Sequence, residues 1–477
     1  MNPSLATLIC FVGIAGLFYL DRDKTVQTSK ALWLPFIYLW IMGSRAVSTW
    51  LGLNEPGVGK SQIDGSPIDA AVLGFLLLCA LIVLTKRGKR TLLLLRANWP
   101  ILAYFLYCLI SVAWSFHPDV AFKRWIKAIG DLAMVLVIVT EPDLRNALRH
   151  LFSRLGFLFF PTSVLLIKYF PDLGRVYDPF GLEQDAGVSS GKNMLGVMLL
   201  VISLGTLWQL ITLLRDKGRP NRRRHLLAQG ALLVFGIALL SVAHSATSIA
   251  CFVLGSGLIF ATGLRAIRSR AARVHLLCLA IFLGGGLALL SGGETGAANA
   301  LGRESNLSGR TDIWAAVLAS SPNPIVGAGF ESYWISPTVL VFRRILKDEG
   351  WWHPDYLNEA HNGYIEVYLN LGWVGVGLIS LILISGYRRA IAAFRLNASI
   401  GGLMLAYIIV AAFYNITEAG FRMLDLMWIF LLLAIVSASA VVTGLVDRET
   451  PRILGLRGGT ASRTPAGNKF ILKGKTA

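Results

Sequence analysis

The sequence predicts an all-α, polytopic membrane protein with about 12–13 transmembrane helices and one large outer loop between the tenth and eleventh spans. Three observations carry this. Of 477 residues, 55% are hydrophobic and only 15% charged, against about 25% charged in a soluble globule. Thirteen stretches approach the roughly 20 apolar residues that cross a bilayer core. The net charge of +18 comes mostly from basic residues in alternate loops, which is how a membrane chain records its orientation. In a soluble chain that charge would point to nucleic acid; here no nucleic-acid partner is expected.

The stretches run at 2–20, 31–47, 68–85, 99–115, 121–140, 148–168, 192–214, 225–244, 247–264, 274–291, 363–386, 399–417 and 423–445. The second, fifth and sixth are short or carry charge. The first has no basic residue before it and Arg22 and Lys24 after it. That polarity is the reverse of a signal peptide, so a retained helix entering from outside is expected. The loops 21–30, 86–98, 141–150, 215–224, 265–273 and 388–395, with the tail from 446, hold 30 of the 45 basic residues. The positive-inside rule puts this set in the cytoplasm.

The other set contains two long acidic loops, 169–191 and 292–362. The second has eight acidic and five basic residues. Its tryptophans at 314, 334, 351 and 352 suit folding against the helices, and loops of this length are usually functional. The domain reading is therefore 1–291, N-terminal helices; 292–362, the large outer loop; 363–445, C-terminal helices; and 446–477, a basic flexible cytoplasmic tail able to touch anionic lipid. Cys10, Cys79, Cys108, Cys251 and Cys278 all lie in apolar runs without metal-ligand spacing, so neither disulfides nor a zinc site are expected.

Charges at outer span ends are informative because the orientation rule does not explain them. Trp114-Ser115-Phe116-His117-Pro118 precedes Lys123, Arg124 and Lys127. These cations either snorkel to headgroups or mark a site. Gly187-Val-Ser-Ser-Gly-Lys192-Asn193-Met-Leu-Gly196 leads a Gly-rich turn into a helix. Free amides and the helix dipole there favour an anion, although an ordinary cap with Lys192 in water fits as well. In Ser308-Gly309-Arg310-Thr311-Asp312-Ile-Trp314, Arg310 offers a fork for phosphate or a partner for Asp312. His361-Asn362-Gly363-Tyr364 opens the eleventh span. On a regular helix His361, Ile365, Tyr368, Gly372 and Gly375 lie within about 40° of one face, where glycines permit a close helix contact.

These sites combine phosphate-holding cations with one titratable base on one side of the membrane. No HExxH, no DxD pair in the outer loops and no Cys/His cluster is present, so no metal and no cofactor are expected.

The same residues resemble the O-antigen ligase and polymerase superfamily of bacterial membrane glycosyltransferases. His361-Asn362, Gly372 and Gly375 fit its ligase pattern. Gly309-Arg310, Trp314, Pro322, Gly327 and Gly329 also fit, as do Lys192-Asn193 with Gly196, and Trp114-Ser115 with Pro118 and Arg124. The run from Trp114 through Lys168-Tyr169-Phe170-Pro171 to Asn193 looks most like the exopolysaccharide polymerase branch. The resemblance implies metal-independent, inverting transfer or polymerisation of an undecaprenyl-pyrophosphate-linked glycan onto a glycan or lipid acceptor. The transfer would occur at the periplasmic face of the cytoplasmic (inner) membrane. It implies His361 as the catalytic base and Arg310 as a donor-pyrophosphate cation, and Lys192 and Arg124 are read from their own placement as further donor cations. Asn193, His244, Asn362, Gly372 and Gly375 would support them. One departure is plain: where the family often has Ser-[Arg/Lys]-Thr, this chain reads Ser245-Ala246-Thr247 after His244. The alternative function is a transporter or flippase of lipid-linked glycan. Transporters place charge and broken helices at the bilayer midplane, whereas most charges singled out here lie at outer ends.

Overall fold

The computed structural model describes residues 2–23, 28–53, 65–177, 181–268, 271–291, 307–351 and 354–446. The tail 446–477, apart from Val446, lies outside this set, as does the start of the large loop.

The chain is a helical bundle. In order its main helices are α1 (Pro3–Leu20), α2 (Trp33–Gly43), α3 (Pro67–Lys86), α4 (Gly88–Ala97), α5 (Trp99–Ser111), α6 (Pro118–Val139) and α7 (Leu144–Tyr169). A two-stranded antiparallel hairpin follows, β1 (Arg175–Tyr177) with β2 (Glu183–Asp185), Val176 opposite Gln184. Then come α8 (Lys192–Arg215), α9 (Arg222–Val242), α10 (Ala246–Gly263) and α11 (Ala271–Ser291). The large loop contributes α12 (Leu307–Ala319) and α13 (Thr338–Asp348), and α14 (Gly363–Leu396), α15 (Ala398–Thr417) and α16 (Leu426–Val442) complete the bundle.

Each of the thirteen apolar stretches contains a helix. Eight helices among the described residues are long and apolar enough to cross a membrane, or nine if α4 and the segment Trp99–Trp114 form one bent span. That is fewer than the twelve or thirteen expected from sequence. The physical reasons are specific. α2 and α16 have 11 and 17 residues, and α6 carries Asp119, Lys123, Arg124, Lys127 and Asp131; α11 is described only in part and is not in this count. The basic stretch 86–98 is also more than a loop. It folds as α4, bent 84° from the next helix.

Burial separates the helices into an inner and an outer set. α8, α15 and α16 bury nearly every side chain, as expected of helices that are apolar on all faces. α1 and α3 are mostly exposed, with Leu8, Phe11, Phe75 and Leu78 turned outward. The large loop has a small core of its own. Ile313, Val317, Tyr333, Phe342 and Leu346 pack together, with Trp314, Trp334 and Trp351 around them.

This loop docks into a break in α14. Gly372 has φ 62° and ψ −165°, outside helical geometry. Trp373 N donates to Pro324 O (2.9 Å) and Val374 N to Ile325 O (3.2 Å), while Ala328 N and Gly329 N donate to Leu369 O and Asn370 O (3.0 and 2.8 Å). A Cβ on Gly372 would lie 2.2 Å from the Ile325 carbonyl group. The expected role of Gly372 and Gly375 in a helix-to-helix contact is therefore corrected. Gly372 ends one helical segment so that loop backbone can enter, and a Cβ on Gly375 would meet Leu371 of its own helix.

Candidate functional site

The site is assembled around the turn before α14 and the segment 418–425 between α15 and α16. Asn362 caps α14, its side chain accepting from Tyr364 N and Ile365 N (3.0 and 3.1 Å). Its amide donates to Ile416 O (3.0 Å) at the end of α15. Gly363 is needed at this crossing, because a Cβ there would meet Asn415 Oδ1 at 1.9 Å. The turn is held from the loop side too. Trp314 Nε1 donates to Ala360 O (2.9 Å), Ala360 N to Glu366 Oε2 (3.0 Å) and Trp334 Nε1 to Glu366 Oε1 (2.7 Å). Glu366 is thus a buried structural acceptor.

His361 sits in this turn at φ 48°, a costly backbone state for a non-glycine residue. Its Nδ1 lies 2.9 Å from Glu359 Oε1 and 3.8 Å from Glu418 Oε2. The nearer contact is an ion pair without hydrogen-bond alignment. Glu418 also receives Arg310 Nη2 (3.0 Å) and Asn193 Nδ2 (3.2 Å), and Arg310 donates to Thr417 O. Glu359 pairs with Arg422 (3.4 Å), and Arg422 pairs with Glu331 (3.6 Å). Arg124 donates to Glu331 O. The result is a row of alternating charge from Arg310 through Glu418, His361, Glu359 and Arg422 to Glu331.

Burial alone pushes the His361 imidazole down, but Glu359 and Glu418 outweigh it and raise its pKa to about 9. Burial likewise pushes Glu359 up, and His361, Arg422 and Arg310 more than reverse it, so its carboxyl titrates below the usual range. Burial raises Asp425 to about 7.

Segment 418–425 is pinned on its underside. Met423 N donates to Glu331 Oε1 (3.3 Å), Leu424 N to Asp131 Oδ2 (3.0 Å) and Met427 N to Asp425 Oδ1 (2.7 Å). Tyr38 donates to the other Asp131 oxygen (2.8 Å). On one flank lies a cavity of about 410 Å³ lined by Ser190, Lys192, Asn193, Glu359, Glu418 and Asp425. α8 begins at this cavity with no side chain capping it, so its first amides suit an anion. On the other flank lies Arg124.

The structure therefore brings Arg310, Lys192, Asn193, Asn362 and His361 together. Arg124 connects to them through Glu331 and Arg422, across segment 418–425. His244 is exposed at φ 49° and heads the turn into α10. Thr247 Oγ1 in that turn lies 2.9 Å from Thr417 Oγ1, so the turn lacking the family's cation does border the site. Glu418, Arg422, Glu331 and Asp425 escaped the sequence reading. The signal existed: Glu418-Ala-Gly-Phe-Arg422-Met-Leu-Asp425 puts three charges beside an outer span end.

Glu359, His361 and Glu418 place three possible ligand atoms within 4.8 Å of one another. Arg422 and Arg310 already neutralise the two carboxylates, and these cations oppose a metal ion electrostatically.

Comparison with known proteins gives two similarities. Residues 231–380 match the family model described as O-antigen ligase. The segment includes Arg310, His361, Gly372 and Gly375, and leaves out Lys192 and Arg124. The exopolysaccharide production protein ExoQ of Rhizobium meliloti (strain 1021) is 27% identical over 301 residues. That alignment takes in 60% of this chain and 64% of ExoQ, just under two thirds of the relative's length. The chain resembles the O-antigen ligase and polymerase family in these two comparisons.

Proposed function

We propose that this chain, similar to O-antigen ligases and to an exopolysaccharide production protein, is a membrane glycosyltransferase. It transfers or polymerises an undecaprenyl-pyrophosphate-linked glycan at the periplasmic face of the bacterial inner membrane. The observation that carries this reading is the alternating row of Arg310, Glu418, His361, Glu359, Arg422 and Glu331 beside a cavity and an uncapped helix start.

Arg310, Lys192 and Arg124, with Arg422 between the flanks, hold the donor. Arg310 and Arg422 can exchange their carboxylates, and Arg124 the Glu331 carbonyl, for phosphate oxygens, for which each fork is suited. Displacement of lipid diphosphate by an acceptor hydroxyl then needs an acceptor for one proton. His361 is proposed as that base. With a pKa of about 9, it is unprotonated in about one molecule in a hundred at pH 7, and a free imidazole of that pKa is a strong base. Glu359, which faces the cavity, is the next group to test. In the same proposal the transfer inverts the sugar, needs no metal, and uses a glycan or lipid acceptor.

Purified protein in vesicles with lipid-linked oligosaccharide tests this. Lengthened or transferred glycan supports the enzyme, and translocation without transfer would instead make it a transporter. The break at Gly372 does not favour transport, since loop backbone fills it. Orientation is tested separately. A cysteine replacing Leu340, which is 65% exposed, should react with an impermeant thiol reagent from outside, and a reporter after Ala477 should behave as cytoplasmic.

A further inference from the structure

The cations Lys123 and Lys127, at an outer span end where orientation does not require them, have no part in the row of charges just described. They line a second cavity. It is a cleft of about 360 Å³ between α3 and α6, bounded by Ala70, Leu73, Gly74 and Leu77 on one side and by Lys123, Arg124, Ile126 and Lys127 on the other. Its walls along α3 are apolar, and α3 is among the helices most exposed to the surroundings of the bundle. Its charged end carries three cations. Lys123 lies 3.8 Å from Asp119, but both side chains are about 70% exposed, so that contact contributes little.

Gly74 forms part of the apolar wall. A Cβ there would meet no atom within 4 Å, so neither close packing nor an unusual backbone angle requires glycine. Glycine inside a helix is a weaker helix former than alanine. Its effect here is to keep the cleft wide. The cleft also joins the site. Met423 lines it next to Arg422, and Arg124 lines it while donating to the Glu331 carbonyl.

We propose that this cleft receives the first part of the hydrocarbon chain of the lipid diphosphate donor. Lys123, Arg124 and Lys127 meet the lipid-side phosphate, and the glycan end crosses segment 418–425 toward Arg310 and His361. This assignment rests on the glycosyltransferase reading. The chemistry is an apolar slot closed by cations, which matches a chain ending in phosphate. It also explains why Arg124 and Arg310 stand on opposite flanks: the donor lies across the segment between them.

The test uses two donors bearing the same oligosaccharide diphosphate, one on a long polyprenyl chain and one on a ten-carbon chain. Gly74→Leu places its Cβ in open space and its branch in the cleft, and should raise KM for the long-chain donor about tenfold, while KM for the short-chain donor stays within twofold. Ala70→Leu is a second filling variant with the same expectation, and unchanged melting temperatures establish folding. Lys127→Ala should raise KM for both donors. A photoactivatable polyprenyl phosphate should label α3 in wild type, and Gly74→Leu should reduce that labelling. Equal KM changes for both donors in the two filling variants, or none, overturn the assignment. So does labelling that excess phosphatidylglycerol abolishes, which would make the cleft a site for bulk phospholipid. Failure of wild type to use either donor overturns the glycosyltransferase reading, while the labelling result still decides whether the cleft holds a polyprenyl chain.

Discussion

Both ends of the bundle carry buried ion-pair networks, but they are built differently. At the end away from the candidate site, Arg87 binds Glu141, Ser29, Thr140 and the Val137 carbonyl. Nearby, Asp21 meets His225 and Gln229 (3.0 and 3.2 Å), and Arg219 meets Asp23 (3.2 Å). These contacts tie the ends of α1, α3 and α6 to their neighbours. At the other end the carboxylates of Glu418 and Glu359 are each shared by two cationic groups. Among the described residues, four of the five non-glycine residues with positive φ, His244, Glu331, His361 and Leu424, also cluster there. Strain held by surrounding structure is characteristic of functional sites. A buried ion pair alone is therefore weak guidance to function, and so is open volume, since cavities of about 480 and 640 Å³ lie beside Asp21 and Arg87; sharing and strain together separate the two ends.

The largest difference should appear on truncation. His361→Ala should lower transfer by roughly two to four orders of magnitude, the scale of a lost acid–base group, with normal protein levels. Arg87→Ala should leave transfer per folded molecule near normal but cost about 3 kcal/mol of stability, because it strands Glu141, which is 1% exposed. Transfer assays and thermal unfolding in detergent separate these outcomes. Equal loss of transfer in both variants would erase the comparison.

Next comes the geometry of phosphate contact. Arg310→Lys keeps the charge but not the fork, and should still impair transfer by about tenfold or more. Full activity would make Arg310 a structural partner of Glu418. If Lys192→Ala combined with Arg310→Lys is no worse than the worse single variant, the two act on one phosphate site.

The pH response sharpens the role of His361. As a base it must lose its proton, so activity should climb from pH 7 towards about 9. Activity that is flat to pH 9 and falls above it would make the imidazolium the working form and move the base to Glu359. Stability has the opposite slope. The folded-state pKa lies above the ordinary 6.5, so the contribution of the charged His361 among Glu359 and Glu418 is full below pH 6.5 and lost as pH rises through about 9. The unfolding midpoint should fall across that window in wild type and less so in His361→Gln.

The smallest expected effect is at the docking break. Gly372→Ala meets the Ile325 backbone and adopts an unfavourable φ, so it should destabilise by about 1–3 kcal/mol. Transfer should fall in proportion to undocking of the loop, read by proteolysis near residue 350.

Much of this was legible in the chain itself. Apolar runs of bilayer length fixed an all-helical membrane fold, because only internally satisfied backbone is stable in lipid. Short motifs exposed Arg310, Lys192, Asn193, Asn362 and His361, since a cation or histidine beside an apolar run stands out. Glu418, Arg422 and Glu331 did not stand out, because what distinguishes them is their pairing across the candidate site, with partners up to about ninety residues apart. The sequence also implied an ordinary helical face at Gly372 and Gly375. Whether a glycine lets a helix approach or lets a loop enter depends on what arrives from elsewhere in the chain, and here Pro324 and Ile325 arrive. Composition and periodicity determined which segments leave water, since that is a local sum over side chains. Tertiary structure alone decided which charges share carboxylates, which cations face each flank and what pKa His361 has, since those follow from distances between segments remote in sequence.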